Sequence, residues 1–367
     1  IERQQVTDSK PRLSYNFVPE LSIPDLSSMN LCNAAQKLEL ERLAGLYTTE
    51  NGSMDEAYAY KLQNVRRGVN TDWIRAPLRV PFSHTHSLSL SGRAQKIDYR
   101  TSLRFSDKYG VMKGDNRRNY TLNFSIGYHM RDKLTLRYTA NYSLTDAKES
   151  PYGDFSAYTR LNPYDTPFDE YGNLVKAFNF DPEDTSTSGD GHQVNPLYNA
   201  TLSSFETTRD QTLRNTVDAK WYVTKDFFIT GQFNVDIKTN QYDRYTSPED
   251  ATYLGETDPA KRGEYRFGTG KAFNYDGKIV LNYGRNLDDR GTGFVVNAGA
   301  DIQHTNTTTS YTTAIGFLKD DLSDIKYALG YSPSSLPSGT ETLLAKVGFF
   351  ASGNFYFRNR YFADISY

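Results

Sequence analysis

Few residues in this sequence have the types and spacing that do chemistry. His84-Thr85-His86 puts two imidazoles on one side of an extended segment. A metal needs a third ligand and a shaped site, and no partner is near in sequence. Asp181-Pro182-Glu183-Asp184, with Asp190, offers oxygens to Ca²⁺. The spacing is not that of an EF-hand, so a solvated acidic loop is expected and a Ca²⁺ role is not supported. Asp288-Asp289 and Asp320-Asp321 read as solvated tips, and His129, His192 and His304 are scattered through turns and loops. Gly268-Thr269-Gly270-Lys271 resembles a phosphate loop, but it lacks the full spacing and opens a strand instead of a helix. No nucleophile elbow or zinc-protease motif is present. The single cysteine, Cys32, excludes an internal disulfide framework and a Cys-based zinc site. What remains is aromatic: 14% of the 367 residues, with 28 Tyr and 21 Phe against 37% hydrophobic content.

The elements that carry these residues have period two. In residues 120–128, Tyr120, Leu122, Phe124, Ile126 and Tyr128 alternate with Thr121, Asn123, Ser125 and Gly127. In residues 133–144, Leu134, Leu136, Tyr138, Ala140, Tyr142 and Leu144 alternate with polar residues. The pattern recurs from Leu13 to Tyr367 and predicts about eleven strands, each with one apolar and one polar face. Many runs reach ten residues, the length of a membrane-spanning strand rather than of a soluble one. Short connections alternate with long ones near residues 19–85, 107–118, 145–210, 242–270 and 305–341. Residues 33–43 and 54–67 read as helices ended by Gly45 and Gly68.

Two architectures fit such stripes. In a soluble β-sandwich the apolar face is the core. In an outer-membrane barrel it meets lipid and the charged face lines the lumen. Strand length, loop alternation and aromatic strand ends (Tyr120, Tyr128, Trp221, Tyr283, Tyr361) favour the barrel. Arg100, Arg104, Arg137, Asp218, Lys220, Asp236, Lys238, Asp276, Lys278, Asp301 and Lys346 then face the lumen, both signs interspersed. A net charge of -2 argues against a nucleic-acid partner. No apolar run is long enough for a transmembrane helix, and no signal peptide opens the chain. Asn-x-Ser/Thr matches at Asn119, Asn123 and Asn141 fall inside strands, which argues against glycosylation.

With those strands placed, several segments resemble the barrel of SusC/RagA-type TonB-dependent outer-membrane transporters. They are Glu41-Arg42-Leu43-Ala44-Gly45-Leu46-Tyr47, Thr71-Asp72-Trp73, Pro77-Leu78-Arg79 and Phe82-Ser83-His84-Thr85-His86-Ser87-Leu88, then Gly110-Val111-Met112-Lys113-Gly114. Ser150-Pro151-Tyr152-Gly153, Leu161-Asn162-Pro163-Tyr164, Glu170-Tyr171-Gly172-Asn173-Leu174 and Asn195-Pro196-Leu197-Tyr198 follow in order. The resemblance implies an all-β transmembrane antiparallel barrel of which residues 1–367 are one part, about eleven of 22 strands. The plug, the TonB box and the C-terminal half of the barrel are then outside the sequence. It further implies a SusD-like surface lipoprotein partner, the TonB complex, contact with membrane lipid and lipopolysaccharide, and inward passage of oligosaccharide or peptide. Tyr152, Phe155, Tyr158, Tyr164 and Tyr198 are the expected ligand-facing residues, since aromatic faces beside Asn, Asp and Arg suit sugars or peptides. A soluble or surface carbohydrate-binding or adhesin sandwich is the alternative. An outer-membrane hydrolase barrel is a weaker one, because no nucleophile with a base and an orienting partner is found.

Eleven strands leave two unpaired edges, and unpaired backbone in lipid costs several kcal/mol per group. Residues 1–367 expressed alone are therefore expected not to form a heat-resistant barrel. Semi-native electrophoresis with and without boiling checks this, and a heat-modifiable species would contradict the partial-barrel reading.

Overall fold

The computed structural model describes residues 10–47, 53–130, 133–178 and 193–367, excepting the side chains of 53–55. β1 (Arg12–Leu21) leads into a long loop that holds α1 (Ala34–Leu43) and α2 (Ser53–Arg66). β2 (Phe82–Ala94), β3 (Ile97–Tyr109), β4 (Asn116–Met130) and β5 (Leu134–Lys148) follow. A second long loop holds α3 (Phe155–Thr159), the short pair β6 (Ala177–Phe178) and β7 (Gln193–Val194), and α4 (Pro196–Asn199). β8 (Phe205–Tyr222), β9 (Phe227–Thr246), β10 (Glu264–Asn286) and β11 (Gly293–Ile315) form the far wall. They are completed by β12 (Gly330–Tyr331), β13 (Ser338–Phe357) and β14 (Tyr361–Ser366).

Eleven strands pair in the order β1-β2-β3-β4-β5-β8-β9-β10-β11-β13-β14, with β12 added to β11. Every pairing is antiparallel, and the long strands pair in chain order, with only the short β6, β7 and β12 falling between paired neighbours. The register aligns the stripes. Tyr15, Leu88, Leu103, Leu122, Tyr142, Leu213, Ile237 and Phe273 stand opposite one another across eight strands. One residue along, Ser87, Arg104, Thr121, Ser143, Thr212 and Lys238 form the matching polar row. Directly opposed residues share a face, so one side of the sheet is an apolar belt and the other a polar wall. The belt is uncovered: Leu103, Leu122, Phe124, Phe273, Ile279 and Val347 are all exposed. In a sandwich a second sheet would hide them. Along β4 the belt runs from Tyr120 to Tyr128, which at a tilt of ~40° spans about 21 Å between Cα atoms, close to the ~25 Å height of an outer-membrane apolar band.

The strands are longer than the apolar pattern alone predicts. β9 continues to Thr246 and β10 starts at Glu264, so the loop expected over 242–270 shrinks to 247–263. β11 continues to Ile315 and β13 starts at Ser338, which likewise shortens the loop expected over 305–341. These extensions lie beyond the lipid belt, where Thr, Asn and Tyr on both faces remove the apolar alternation while the backbone ladder persists. Gly268-Thr269-Gly270-Lys271 lies inside β10, paired on both sides. The helices come close to their expected places. Asn33 caps α1 in a reciprocal capping box with Gln36, and Gly45 and Gly68 follow α1 and α2 at φ of 78° and 84°. The short α3 and α4 lack a sequence signal strong enough to be foreseen.

Phe124 lies mid-belt and Ser125 beside it faces the polar wall. In the full-length protein refolded into liposomes, Phe124→Arg is expected to cost about 2–4 kcal/mol and Ser125→Arg much less. Denaturant unfolding monitored by tryptophan fluorescence checks the difference, and equal costs would contradict the face assignment.

Candidate functional site: the loop cap and the polar wall

The loops at one end of the sheet pack into a cap. Its first package is built on Glu41 of α1, which is 8% exposed. The Tyr47 hydroxyl donates to it at 2.5 Å, and the Tyr164 hydroxyl donates from the second long loop at 2.9 Å. Lys37 and Lys61 lie 3.4 and 3.8 Å from the same carboxylate. The Lys61 ammonium also stands about 5 Å from the ring centres of Tyr47 and Tyr164. Ala34, Leu38, Tyr58, Leu62 and Val65 close around this polar knot. Burial, reinforced by the Glu41 charge, holds the Tyr164 and Tyr47 phenols far above the usual range, so both stay protonated donors.

Next to it, Asp165 is 3% exposed and its Oδ2 has no partner. Burial pushes its carboxyl up to about 6, against a pull downward from Asn162 and Lys61. A second package joins Trp73, Tyr158 and Phe178 with Tyr152, Leu161 and Leu197. The Trp73 indole donates to the Asn162 carbonyl at 2.9 Å, and the Thr71 amide to the Pro163 carbonyl at 2.8 Å. A cleft of about 720 Å³ opens between the two long loops, lined by Lys37, Asp72, Arg75, Arg160 and the apolar Met29 and Leu31.

The remaining loops are tied on in series. Arg79 and Lys113 hold residues 110–115 to the first loop through backbone carbonyls, and Ser150 donates to the Lys113 carbonyl at 2.7 Å. Asn199 pairs with Asp250 and with the Ala251 amide, both at 3.0 Å. Asp320 accepts from the amide and hydroxyl of Ser203, each at 2.9 Å, so it is a clamp and not the solvated tip expected. Tyr245, Tyr265, Ala314 and Phe317 make a third apolar package at this end.

The expected ligand-facing residues divide. Tyr158 and Tyr164 have no accessible surface and pack the loops together. Tyr152, Phe155 and Tyr198 keep partial exposure, with Lys113 5.7 Å from the Tyr152 ring and Lys176 5.1 Å from that of Tyr198. His84 and His86 do share a side, their rings 5.1 Å apart, but on the apolar face: Tyr15 hydrogen-bonds His86 at 2.7 Å and Phe105 stacks on it. No group of three metal-ligating side chains occurs among the described residues. The acidic 181–190 segment and His192 lie outside the described residues.

The polar wall carries paired charges on its β8–β10 side. Arg214 meets Asp236 at 2.5 Å, Gln232 donates to Asp218 at 2.8 Å and Asn234 to Asp276 at 2.7 Å. Near the short turns a recess of about 630 Å³ is lined by His129, Arg137, Asp218, Lys220 and Lys278. The charges are less evenly interspersed than the sequence led one to expect: on β2–β4 the wall-facing carboxylate is Asp98 alone, bonded to His129 and 3.7 Å from Arg137.

An antiparallel wall with an uncovered apolar belt, a charged inner face and a cap of long loops has the architecture of an outer-membrane β-barrel wall, and its fold is that of TonB-dependent receptors. Within that class the fold is SusC/RagA-like. The RagAB peptide transporter superposes with a TM-score of 0.75 at 16% identity, covering 99% of this chain and 42% of the other. Its open-open and closed-closed states both give 0.73. TonB-dependent receptor P26 of Formosa agariphila is 22% identical over 370 residues, 96% of this chain and 33% of that protein. The chain thus spans about a third of the curated relative. No profile of a known protein family matches it.

Because the Asp165 carboxyl titrates higher in the folded cap than in the open chain, stability is lost as pH rises from about 4 to about 6. The two-unit rise corresponds to about 3 kcal/mol at neutral pH. Asp165→Asn is expected to remove that pH dependence and to slow amide hydrogen exchange in α1 and α2 at pH 7.5. Unchanged exchange would show that the carboxyl is compensated from elsewhere.

Proposed function

We propose that this chain is barrel wall and outer cap of a nutrient importer that carries oligosaccharides or peptides across the outer membrane. A SusD-like surface lipoprotein would close the cap from outside, and the TonB complex would supply energy through segments beyond this sequence. The observation that carries the reading is the two-faced sheet: an uncovered apolar belt on one side and a hydrophilic, charge-lined wall on the other, beneath loops that hold clefts and half-exposed aromatics. A belt of that height suits lipid, and a solvated inner wall suits passage of a polar oligomer. The matched proteins are receptors and transporters, and RagAB is described as a peptide transporter. Tyr152, Phe155 and Tyr198 are proposed to contact the oligomer, while Tyr158 and Tyr164 hold the loops that present them.

Deleting the full gene is expected to abolish growth on one oligomer while growth on its monomer persists. Replacing Tyr152, Phe155 and Tyr198 together by Ala in the full-length protein should lower uptake about tenfold, in line with the loss of several stacking contacts. Unchanged growth of the deletion strain on every oligosaccharide and peptide tested would end this reading.

A further inference from the structure

We infer that the inner face of β3 and β4 is a binding stripe for oligomers that carry carboxylate groups. The inference deepens the import reading above by naming the substrate class. Arg100, Arg104 and Lys108 lie four residues apart on β3, all exposed on the polar wall at intervals of ~13 Å. Arg117 of β4 stands directly opposite Lys108. Two cations opposed across a ladder repel each other, and that arrangement is costly unless each has an anion beside it. Lys108 has Glu20 of β1 at 2.8 Å. The guanidiniums of Arg100, Arg104 and Arg117 have no acidic partner and no side-chain hydrogen bond among the described residues.

The other half of the wall is better paired: Lys220 and Lys278 stand over the aromatic rings of Tyr222, Phe228 and Phe350, and of the lumen cations there Lys346 alone has neither a ring nor a carboxylate among the described residues. There Arg214, Lys238, Arg244 and Arg266 each have a carboxylate within 3.7 Å. On β2–β4 the one wall-facing carboxylate, Asp98, is already taken by His129 and Arg137. The free guanidiniums are instead flanked by hydroxyls. Ser87 and Thr121 face Arg104, and Ser91 and Ser125 face Arg100. A guanidinium fork offers paired donors to a carboxylate, and flanking hydroxyls add neutral hydrogen bonds without a competing charge. A neutral oligomer would leave these three charges as they are, whereas an acidic one would pair them.

The test uses the full-length receptor purified in detergent, with calorimetric binding of four probes: hexaglutamate, hexagalacturonate, hexaalanine and cellohexaose. Binding of one acidic hexamer is expected, weakening as salt is raised, and the one that binds tells peptide from glycan. Arg104→Gln with Arg117→Gln should lower that affinity about tenfold or more, as expected for losing charge-assisted bonds. The paired substitutions Arg104→Lys and Arg117→Lys should retain most of it, and Lys238→Gln on the far wall should change little. If neither acidic hexamer binds, or if the double Gln variant binds it as tightly as the unaltered protein, the stripe is not a substrate site. Binding of a neutral hexamer alone, unaffected by the Gln substitutions, would leave the import reading standing and remove only this inference.

Discussion

A strand that lies in hydrocarbon has no water to satisfy its amides, so each must be bonded to a neighbouring strand. That single requirement organises this chain. It dictates antiparallel hairpins between successive strands, since a tight turn is the shortest way to supply the next partner. It also keeps the register continuous from β1 to β14, because a slip of one residue would turn every apolar side chain from lipid to lumen. The belt and the wall are therefore two faces of one ladder. What the wall can offer a solute is limited to every second residue.

That constraint also explains what could be read from the residues alone. Where lipid meets one face, alternation is enforced, and segments such as Tyr120 to Tyr128 announce themselves. Above the lipid, residues 264–272 of β10 and 306–315 of β11 are mostly polar or small, and Tyr265, Phe267, Tyr311 and Ile315 are too few to carry the alternation through, so little in their pattern separates ladder from loop. Helix α1 was legible because its capping box is local, Asn33 and Gln36 being three residues apart. The fate of the loop tyrosines was not. Tyr164 is buried by Glu41, 123 residues away in sequence, whereas Tyr152 and Tyr198 escape burial with the same side chain. The division of charge across the wall was equally hidden, since it emerges only when the register sets Lys108 against Arg117 and Arg214 beside Asp236.

The segments that carry the SusC/RagA resemblance have a common physical task. Glu41 and Tyr47, Thr71 and Trp73, Arg79, Lys113, Ser150, Asn162 and Asn195 all make bonds between loops or within the large one. Most of these bonds end on backbone carbonyls, which stay in place whatever side chains surround them. Such bonds fix the relative positions of loops while leaving the exposed residues free to vary. A shared scaffold of this kind can present different surfaces to different solutes.

The height of the wall has one more consequence. Residues 264–272 of β10 rise beyond the belt as paired strand, which adds ~30 Å of ladder before tilt is counted. The cap is thus carried well clear of the apolar belt. Its loops are presented as an elevated, rigidly mounted platform rather than as hairpin tips level with the belt. A large partner arriving from that end would meet the 316–337 loop, held to Ser203 through Asp320, before it met the apolar belt.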